Sequence, residues 1–315
     1  MTRLRIVFMG TPALAATILE ALLREEQFEV VAAVTQPDQP KGRDLQLHPS
    51  EVKRLALSRG VPLLQPQRAR DPEFTAQMRV LAPDLVVVAA FGQILPQALL
   101  DVPKFGCLNV HTSLLPKYRG AAPIQWAVLN GDAGTGVTIM KMDAGLDTGD
   151  VVSQEQTAIT DDDTAETLHA RLAEMGARLL VRTIPPFVQG TLVPQPQPSG
   201  STYARKIRKE DGRIDWSQPA RAVWNRIRGL TPWPGTFTFL LRSPAPVLIK
   251  VLAATPIDST RATPGEILCA DKDALIVACG EGALLIRELQ REGGKRLPTR
   301  QFLAGFHMAP GERVG

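Results

Sequence analysis

Cysteine is sparse in this 315-residue chain, which has only Cys107, Cys269 and Cys279. An odd count with no C-x-x-C pair excludes a disulfide framework and a thiolate metal knuckle. The four histidines, His48, His111, His169 and His307, lack H-x-x-x-H and H-E-x-x-H spacing, so no metal site is expected. Long apolar runs are absent as well. Stretches such as 84–90 (DLVVVAA) fall far short of the ~20 residues of a membrane helix, and no membrane partner is expected. Arg3 and Arg5 ahead of ALAA at 13–16 imitate a secretory leader, yet the apolar run Ile6–Met9 stops at Gly10-Thr11-Pro12. That is a strand meeting a turn, and the expected location is cytoplasmic. Neither sign of charge dominates: the net charge is +4, with 22% charged and 44% hydrophobic residues. Such a composition excludes a disordered chain. The charge is uneven along the sequence, however. From Tyr203 onward there are 18 Lys and Arg against 11 Asp and Glu, and before it 18 against 21. A basic second part suits a polyanionic partner, the plainer reading being a solvated charged face.

Apolar runs at 5–9, 29–34, 83–90, 106–111 and 135–142 alternate with helical patterns at 13–24, 50–59 and 122–130. Near-continuous Val/Ile/Leu runs separated by crossovers predict an α/β domain, a doubly wound and mostly parallel sheet of Rossmann-like type. Its first turn, FMGTPAL, has no G-x-G-x-x-G, so a dinucleotide site there is not supported. Residues 163–183 read as a long helix with Asp163 and Glu166 as a capping box and His169 at the edge of its apolar stripe. Residues 191–202 (TLVPQPQPSGST) alternate proline with polar residues and predict an extended linker. The expected domains are therefore 1–190, a linker at 191–204, and 205–315. In the last of these, strand-like runs at 236–241, 247–254, 265–270, 274–279 and 283–289 with one helix at 220–230 predict a small OB-like β-barrel.

Two segments carry the chemistry. Asn109 and His111 stand at i and i+2 at the end of an apolar run. On a strand they share a face, with Val110 opposite, at the carboxyl end where open parallel sheets bind ligands. An amide that donates to a developing oxyanion beside an imidazole that handles a proton suits acyl transfer to an amine or alcohol. The competing reading is a strand-end Asn and a turn His. The segment 142–150 (MDAGLDTGD) places Asp143, Asp147 and Asp150 around Gly145 and Gly149. It lacks the acidic spacing of an EF-hand, and local turn bonding accounts for Asp143 and Asp150. Asp147 is the candidate for proton transfer.

The segments NVHTSLLPKYRGAAPIQW (109–126) and GVTIMKMDAGLDTGDVV (136–152) closely resemble the tetrahydrofolate-dependent formyltransferases. The resemblance runs from VFMGTP near the start, through PDQPKGR (37–43), to TYARKIRKEDGRIDW (202–216) and LTPWPGTF (230–237), and so covers both domains. It implies 10-formyltetrahydrofolate as formyl donor. Within that resemblance, the loop at 35–50 and the basic second domain match the members whose acceptor is the α-amine of methionine on initiator tRNA, and the resemblance implies that acceptor here. On the same resemblance Asn109 hydrogen-bonds the formyl oxygen, His111 supports that charge, and Asp147 orients His111 and helps remove the amine proton. Ser113, Leu114, Leu115 and Pro116 match the folate-contacting segment, with Phe91 and Gly92 near the pterin.

The stretch 35–50 reads as structureless and is longer than the usual ~4–6-residue connection. By resemblance it enters the tRNA acceptor arm, with Lys41 and Arg43 on phosphates or bases. Here Asp44-Leu45-Gln46 departs from the family, whose members often carry Gly and lysines at this point. Arg205, Lys206, Arg208 and Lys209 open a phosphate track that Arg213, Arg226 and Arg228 would continue. Trp216, Trp224 and Trp233 are expected to pack rather than stack on bases. A monomer is expected. Two other readings stay open: a sister formyltransferase acting on a sugar nucleotide or glycinamide ribonucleotide, and a catalytically silent RNA-binding protein on the same scaffold.

Overall fold

A computed structural model describes residues 3–41, 46–259 and 262–315. They fall into two compact units that do not follow chain order. The first comprises 1–123, 134–158 and 169–205; the second takes 124–133 and 159–168 together with 206–315. Two short stretches inside the expected first domain thus cluster with the second unit, a non-local outcome that chain position does not reveal.

The elements of the first part are β1 (Leu4–Gly10), α1 (Ala13–Arg24), β2 (Phe28–Val34), β3 (Gln39–Lys41), β4 (Gln46–His48), α2 (Glu51–Ser58), β5 (Leu63–Leu64), α3 (Pro72–Leu81), β6 (Leu85–Ala89), α4 (Gln97–Leu100), β7 (Cys107–His111), β8 (Arg119–Gly120), α5 (Pro123–Leu129), β9 (Gly134–Lys141), β10 (Val151–Ala158), α6 (Ala165–Val188) and β11 (Tyr203–Ala204). Seven strands form one sheet in the order β10-β9-β7-β6-β1-β2-β5. Its β1, β2, β5, β6 and β7 pair in parallel, while β9 and β10 run antiparallel at one side. Every residue of β6 and β7 is buried, as their unbroken apolar runs require when both faces are covered. Val7, Met9, Val86 and Val88 pack on one face with Phe74 and Met78 of α3.

Two local readings change. The stretch 35–50 is not structureless: β3 and β4 form an antiparallel ribbon, pairing Gln39 with His48 and Lys41 with Gln46. The cap of α6 is Thr164 rather than Asp163. Thr164 and Thr167 bond reciprocally, each backbone N–H donating to the other's hydroxyl at 3.0 and 3.2 Å. Asp163 instead accepts from the Thr160 amide and hydroxyl.

The second unit holds α7 (Ala220–Gly229), β12 (Thr236–Leu240), β13 (Val247–Ile257), β14 (Ile267–Ala270), β15 (Leu275–Ala278), β16 (Ala283–Arg291), β17 (Leu297–Pro298) and α8 (Thr299–Gly305). All its strand ladders are antiparallel, in the order β12-β13-β16-β15-β14, with β17 beside β16. Residues 311–315 close the sheet into a barrel. Phe239 and Gly315 exchange bonds at 3.0 and 2.9 Å on the β12 side, and Ile267 donates to the Glu312 carbonyl at 2.8 Å on the β14 side. Closure removes two open edges that would otherwise template association. Trp216 and Trp224 lie in the barrel core, whereas Trp233 is 52% exposed and does not pack as expected.

Candidate active site

β7 ends between two neighbours, pairing Asn109 with Val88 of β6 and Met140 of β9. Its alternation sends Asn109 and His111 to one side. Val110 lies on the other, within contact reach of a β-carbon at Gly176 of α6. Both polar side chains are buried, at 8% and 6% exposure. Among the described residues the Asn109 amide has no hydrogen-bond partner, so its N–H groups are unspent donors at the carboxyl edge of the sheet.

His111 is fixed by its own loop. Its Nε2 lies 2.9 Å from the carbonyl of Tyr118. A carbonyl can only accept, so in the neutral ring Nε2 carries the proton and Nδ1 keeps a lone pair. That Nδ1 faces the Asp147 Oδ1 at 3.8 Å. The distance is too long for a hydrogen bond in the neutral state and short enough for an ion pair once the ring takes a proton.

Asp147 is held by two partners. Its Oδ2 accepts the Gly120 N–H at 2.7 Å, and its backbone stands in the left-handed region at φ +53°. Its carbonyl accepts Gln197 Nε2 at 2.8 Å, and the same amide nitrogen donates to Gly149 at 2.8 Å. Gln197 Oε1 in turn accepts from Arg119 Nη2 and Nε at 2.7 and 3.1 Å. Asp143 spends its carboxylate locally on Gly145 and Thr148, as the turn reading expected.

The proline-rich stretch 191–204 is therefore extended but not free. Gln195 bridges Val151, Thr202 accepts the Tyr118 N–H through its hydroxyl, and β11 pairs in parallel with β8. It forms a strap across the first unit beside the Asn109, His111 and Asp147 group. Gly120 lets this happen. At φ +112° it leaves no room for a β-carbon, which would stand 2.7 Å from the Ala204 carbonyl and from the Tyr203 ring.

The six residues proposed from resemblance to border folate lie in the loops following β6 and β7. Ser113 and Leu115 are locked by Thr138, whose hydroxyl donates to the Ser113 carbonyl at 2.6 Å and lies 3.1 Å from the Leu115 N–H. Gln154 donates to the Leu115 carbonyl at 2.9 Å, Leu114 packs against Gly136, and Pro116 follows a cis peptide bond. The Phe91 ring is buried in the core at 2% exposure, so this segment presents its backbone, with the Phe91 carbonyl accepting from Gln36 beside Gly92.

Of the cations, Lys41 lies on β3 and Arg43 lies outside the described residues. Arg205, Lys206, Arg208 and Lys209 are all exposed, with Ile207 buried between them. Arg228 does not continue a phosphate track. It is buried at 7% exposure, stacked 3.7 Å over the Trp224 ring, and donates to the carbonyls of Thr160 and Asp163 and to Asn225. Burial pulls its pKa below the usual guanidinium value. Tyr118, Arg119, Gly120, Gln197 and Thr202 were not legible as site residues. The sequence marked 191–202 as extended, but nothing local encodes what an extended segment lies against. Among the described residues no group of three or more His, Cys, Asp or Glu could hold a metal, and no helix is long and apolar enough to cross a membrane.

An unspent amide, a lone-pair imidazole nitrogen and a carboxylate at one sheet edge form an arrangement that can serve acyl transfer. A family model described as formyl transferase matches residues 4–184, and one described as its C-terminal domain matches 206–307. The methionyl-tRNA formyltransferase of Citrifermentans bemidjiense is 51% identical over all of this chain and 98% of its own length; that of Geobacter sulfurreducens is 49% identical with the same coverage. The chain belongs to the formyl transferase family, in its methionyl-tRNA formyltransferase group. Solved structures share the fold at lower identity. An N-formyltransferase of Helicobacter canadensis, complexed with folinic acid and dTDP-3-aminofucose, gives a TM-score of 0.65 at 17% identity, over 93% of this chain and 100% of that one. HypX of Aquifex aeolicus, in complex with tetrahydrofolic acid, gives 0.63 at 19%, over 96% and 47%.

Proposed function

We propose that this chain transfers the formyl group of 10-formyltetrahydrofolate to the α-amine of methionine esterified to initiator tRNA, acting in the cytoplasm as a monomer. The observation that carries the reading is the Asn109, His111 and Asp147 group within a chain about half identical, end to end, to methionyl-tRNA formyltransferases. Attack of the amine on the formyl carbon forms a C–N bond, moves charge onto the formyl oxygen, and then breaks the bond to N10. The Asn109 amide donates to that oxygen as it becomes negative. His111 Nδ1, left with its lone pair by the Nε2 bond to Tyr118, takes the proton that the amine loses, and Asp147 stabilises the imidazolium. The proton leaves to N10 of the departing tetrahydrofolate, so the cycle is balanced without a metal. In the neutral ring the single N–H is already committed to Tyr118, so the geometry favours proton handling over direct support of the oxyanion. Phe91, Gly92 and Ser113 to Pro116 border the donor, and Lys41, Arg43, Arg205, Lys206, Arg208 and Lys209 hold the acceptor's phosphates, their charge making that step salt-sensitive.

The test is single-turnover transfer of labelled formyl to methionyl-initiator tRNA, with methionyl-elongator tRNA and small amines in parallel. Label on the initiator tRNA, and a loss of roughly 100-fold or more in Asn109→Ala, His111→Ala and Asp147→Ala, is expected. Label on a small amine alone would move the assignment to a sister enzyme.

A further inference from the structure

The segment that carries Asp147 and the strand paired beside its partner Gly120 each leave a large apolar side chain in solvent. Leu146, its chain neighbour, is 47% exposed, and Tyr203, whose ring lies against Gly120, is 66% exposed. The chain has only two tyrosines, and the other, Tyr118, is buried. Tyr203 is not filling a core. Its Cδ2 and Cε2 lie 3.1 and 2.7 Å from where a Gly120 β-carbon would stand, on the residue whose N–H holds Asp147. The strap fixes the backbone beneath it, through the pairing of Tyr203 with Arg119 and of Ala204 with Gly120. The ring is braced along one edge and otherwise open. An aromatic ring held open on rigid backbone is a stacking surface for a planar ligand.

Which ligand reaches it follows from the covalent structure of the acceptor, and here the inference rests on the function proposed above. Seven bonds separate the α-amine from the glycosidic nitrogen of the terminal adenosine, a span of roughly 9 Å at full extension. The amine must stand about 3–3.5 Å from a formyl carbon beside Asn109 and His111. The adenine therefore lies within one layer of side chains around the group; Gly120 bonds Asp147 directly, Tyr203 lies against Gly120, and Leu146 is the chain neighbour of Asp147. We propose that Tyr203 is the platform on which the terminal adenine of the acceptor stacks, with Leu146 flanking it. The other planar candidate, the donor's pterin, is expected at 91–92 and 113–116, on the loops after β6 and β7 rather than on the β8–β11 ribbon.

Full-length Tyr203→Ala, Tyr203→Phe and Tyr203→Trp are compared with the unaltered chain in steady-state formylation of methionyl-initiator tRNA. Binding of 5-formyltetrahydrofolate, a non-transferring analogue, is titrated in parallel and reports that each variant is folded. Initiator tRNA carrying 2-aminopurine in place of the terminal adenine reports stacking by its fluorescence. Tyr203→Ala is expected to raise KM for the tRNA roughly 5- to 100-fold at nearly constant kcat. Phe and Trp should hold KM within roughly twofold, because every aromatic ring offers a stacking face. The 2-aminopurine signal should be quenched by the unaltered chain and not by Tyr203→Ala. An unchanged KM in Tyr203→Ala overturns the platform while leaving the function intact. Weakened binding of the folate analogue with unchanged KM for tRNA would reassign the ring to the donor. If the unaltered chain fails to formylate the tRNA, the functional reading and the platform fall together.

Discussion

Gln197→Ala should slow formyl transfer roughly 10- to 100-fold without weakening either substrate's binding. The side chain donates to the Asp147 and Gly149 carbonyls at 2.8 Å each and accepts two bonds from Arg119. Neutral bonds of this kind contribute about 0.5–1.5 kcal/mol each and a charge-assisted one about 1.5–3. Gln197 is half-buried, so water recovers part of that, and a net loss of about 1–2 kcal/mol is expected. That matches what it opposes: Asp147 sits at φ +53°, a conformation that costs a non-glycine residue about 1–3 kcal/mol. Without the brace the loop relaxes, and a displacement of ~1 Å between carboxylate and imidazole is enough for a 100-fold loss. The assay is the single-turnover rate at saturating substrates, with KM for each measured separately. Gln197→Glu keeps an acceptor for Arg119 but has no donor for the two carbonyls, and should be as slow as the alanine variant. In an Asp147→Ala background, Gln197→Ala should add nothing, because it acts through that residue. A rate within twofold of the unaltered chain, or a full additional loss in the Asp147→Ala background, would refute the reasoning.

Three further outcomes follow from the same structure. Arg228→Met keeps the stem against Trp224 but leaves the Asp163 carbonyl and the Asn225 Oδ1 without their donor, while the Thr160 carbonyl keeps only the Asp163 N–H; it should destabilise the second unit by about 1–3 kcal/mol, read by chemical denaturation and by faster amide exchange at 159–168. Removing residues 312–315 exposes the edges of β12 and β14, and should make the second unit susceptible to limited proteolysis and self-association while the fold of the first unit, followed by folate-analogue binding, persists. Burial pushes the Cys107 and Cys279 thiols up to about 12, so at pH 8 the reactive thiolate is almost absent in the folded chain and increases only as pH rises toward that value. A thiol reagent at pH 8 should therefore titrate at most Cys269 in the native protein and all three cysteines after denaturation; rapid native reaction of a second thiol would contradict the burial.

Most elements were legible because their signals are local. The runs that became β1, β2, β6, β7 and β9, and those of β12 to β16, bury side chains at the periods their own backbone imposes. The i, i+2 placement of Asn109 and His111 is a strand property for the same reason. Elements with weak or mixed periodicity were missed: α3, the antiparallel edge strand β10, and the two-residue strands β8 and β11. The pairing of β3 with β4 was hidden by prolines and polar residues that read as loop.

By itself, then, the sequence determined the layered architecture, the strand that carries the amide and imidazole, and the carboxylate opposite them. Tertiary structure alone decided what holds these groups in place. Asp147 is braced by Gly120 and Gln197, 27 and 50 residues away in sequence, and the barrel closes through a tail that pairs with β12 and β14 on either side. It also withdrew Arg228 from the surface and left Tyr203 on it. Residue type and spacing fix which face a side chain takes on its own element. Which distant backbone group that face meets is set only when the chain closes its long loops and every buried donor and acceptor must find a partner.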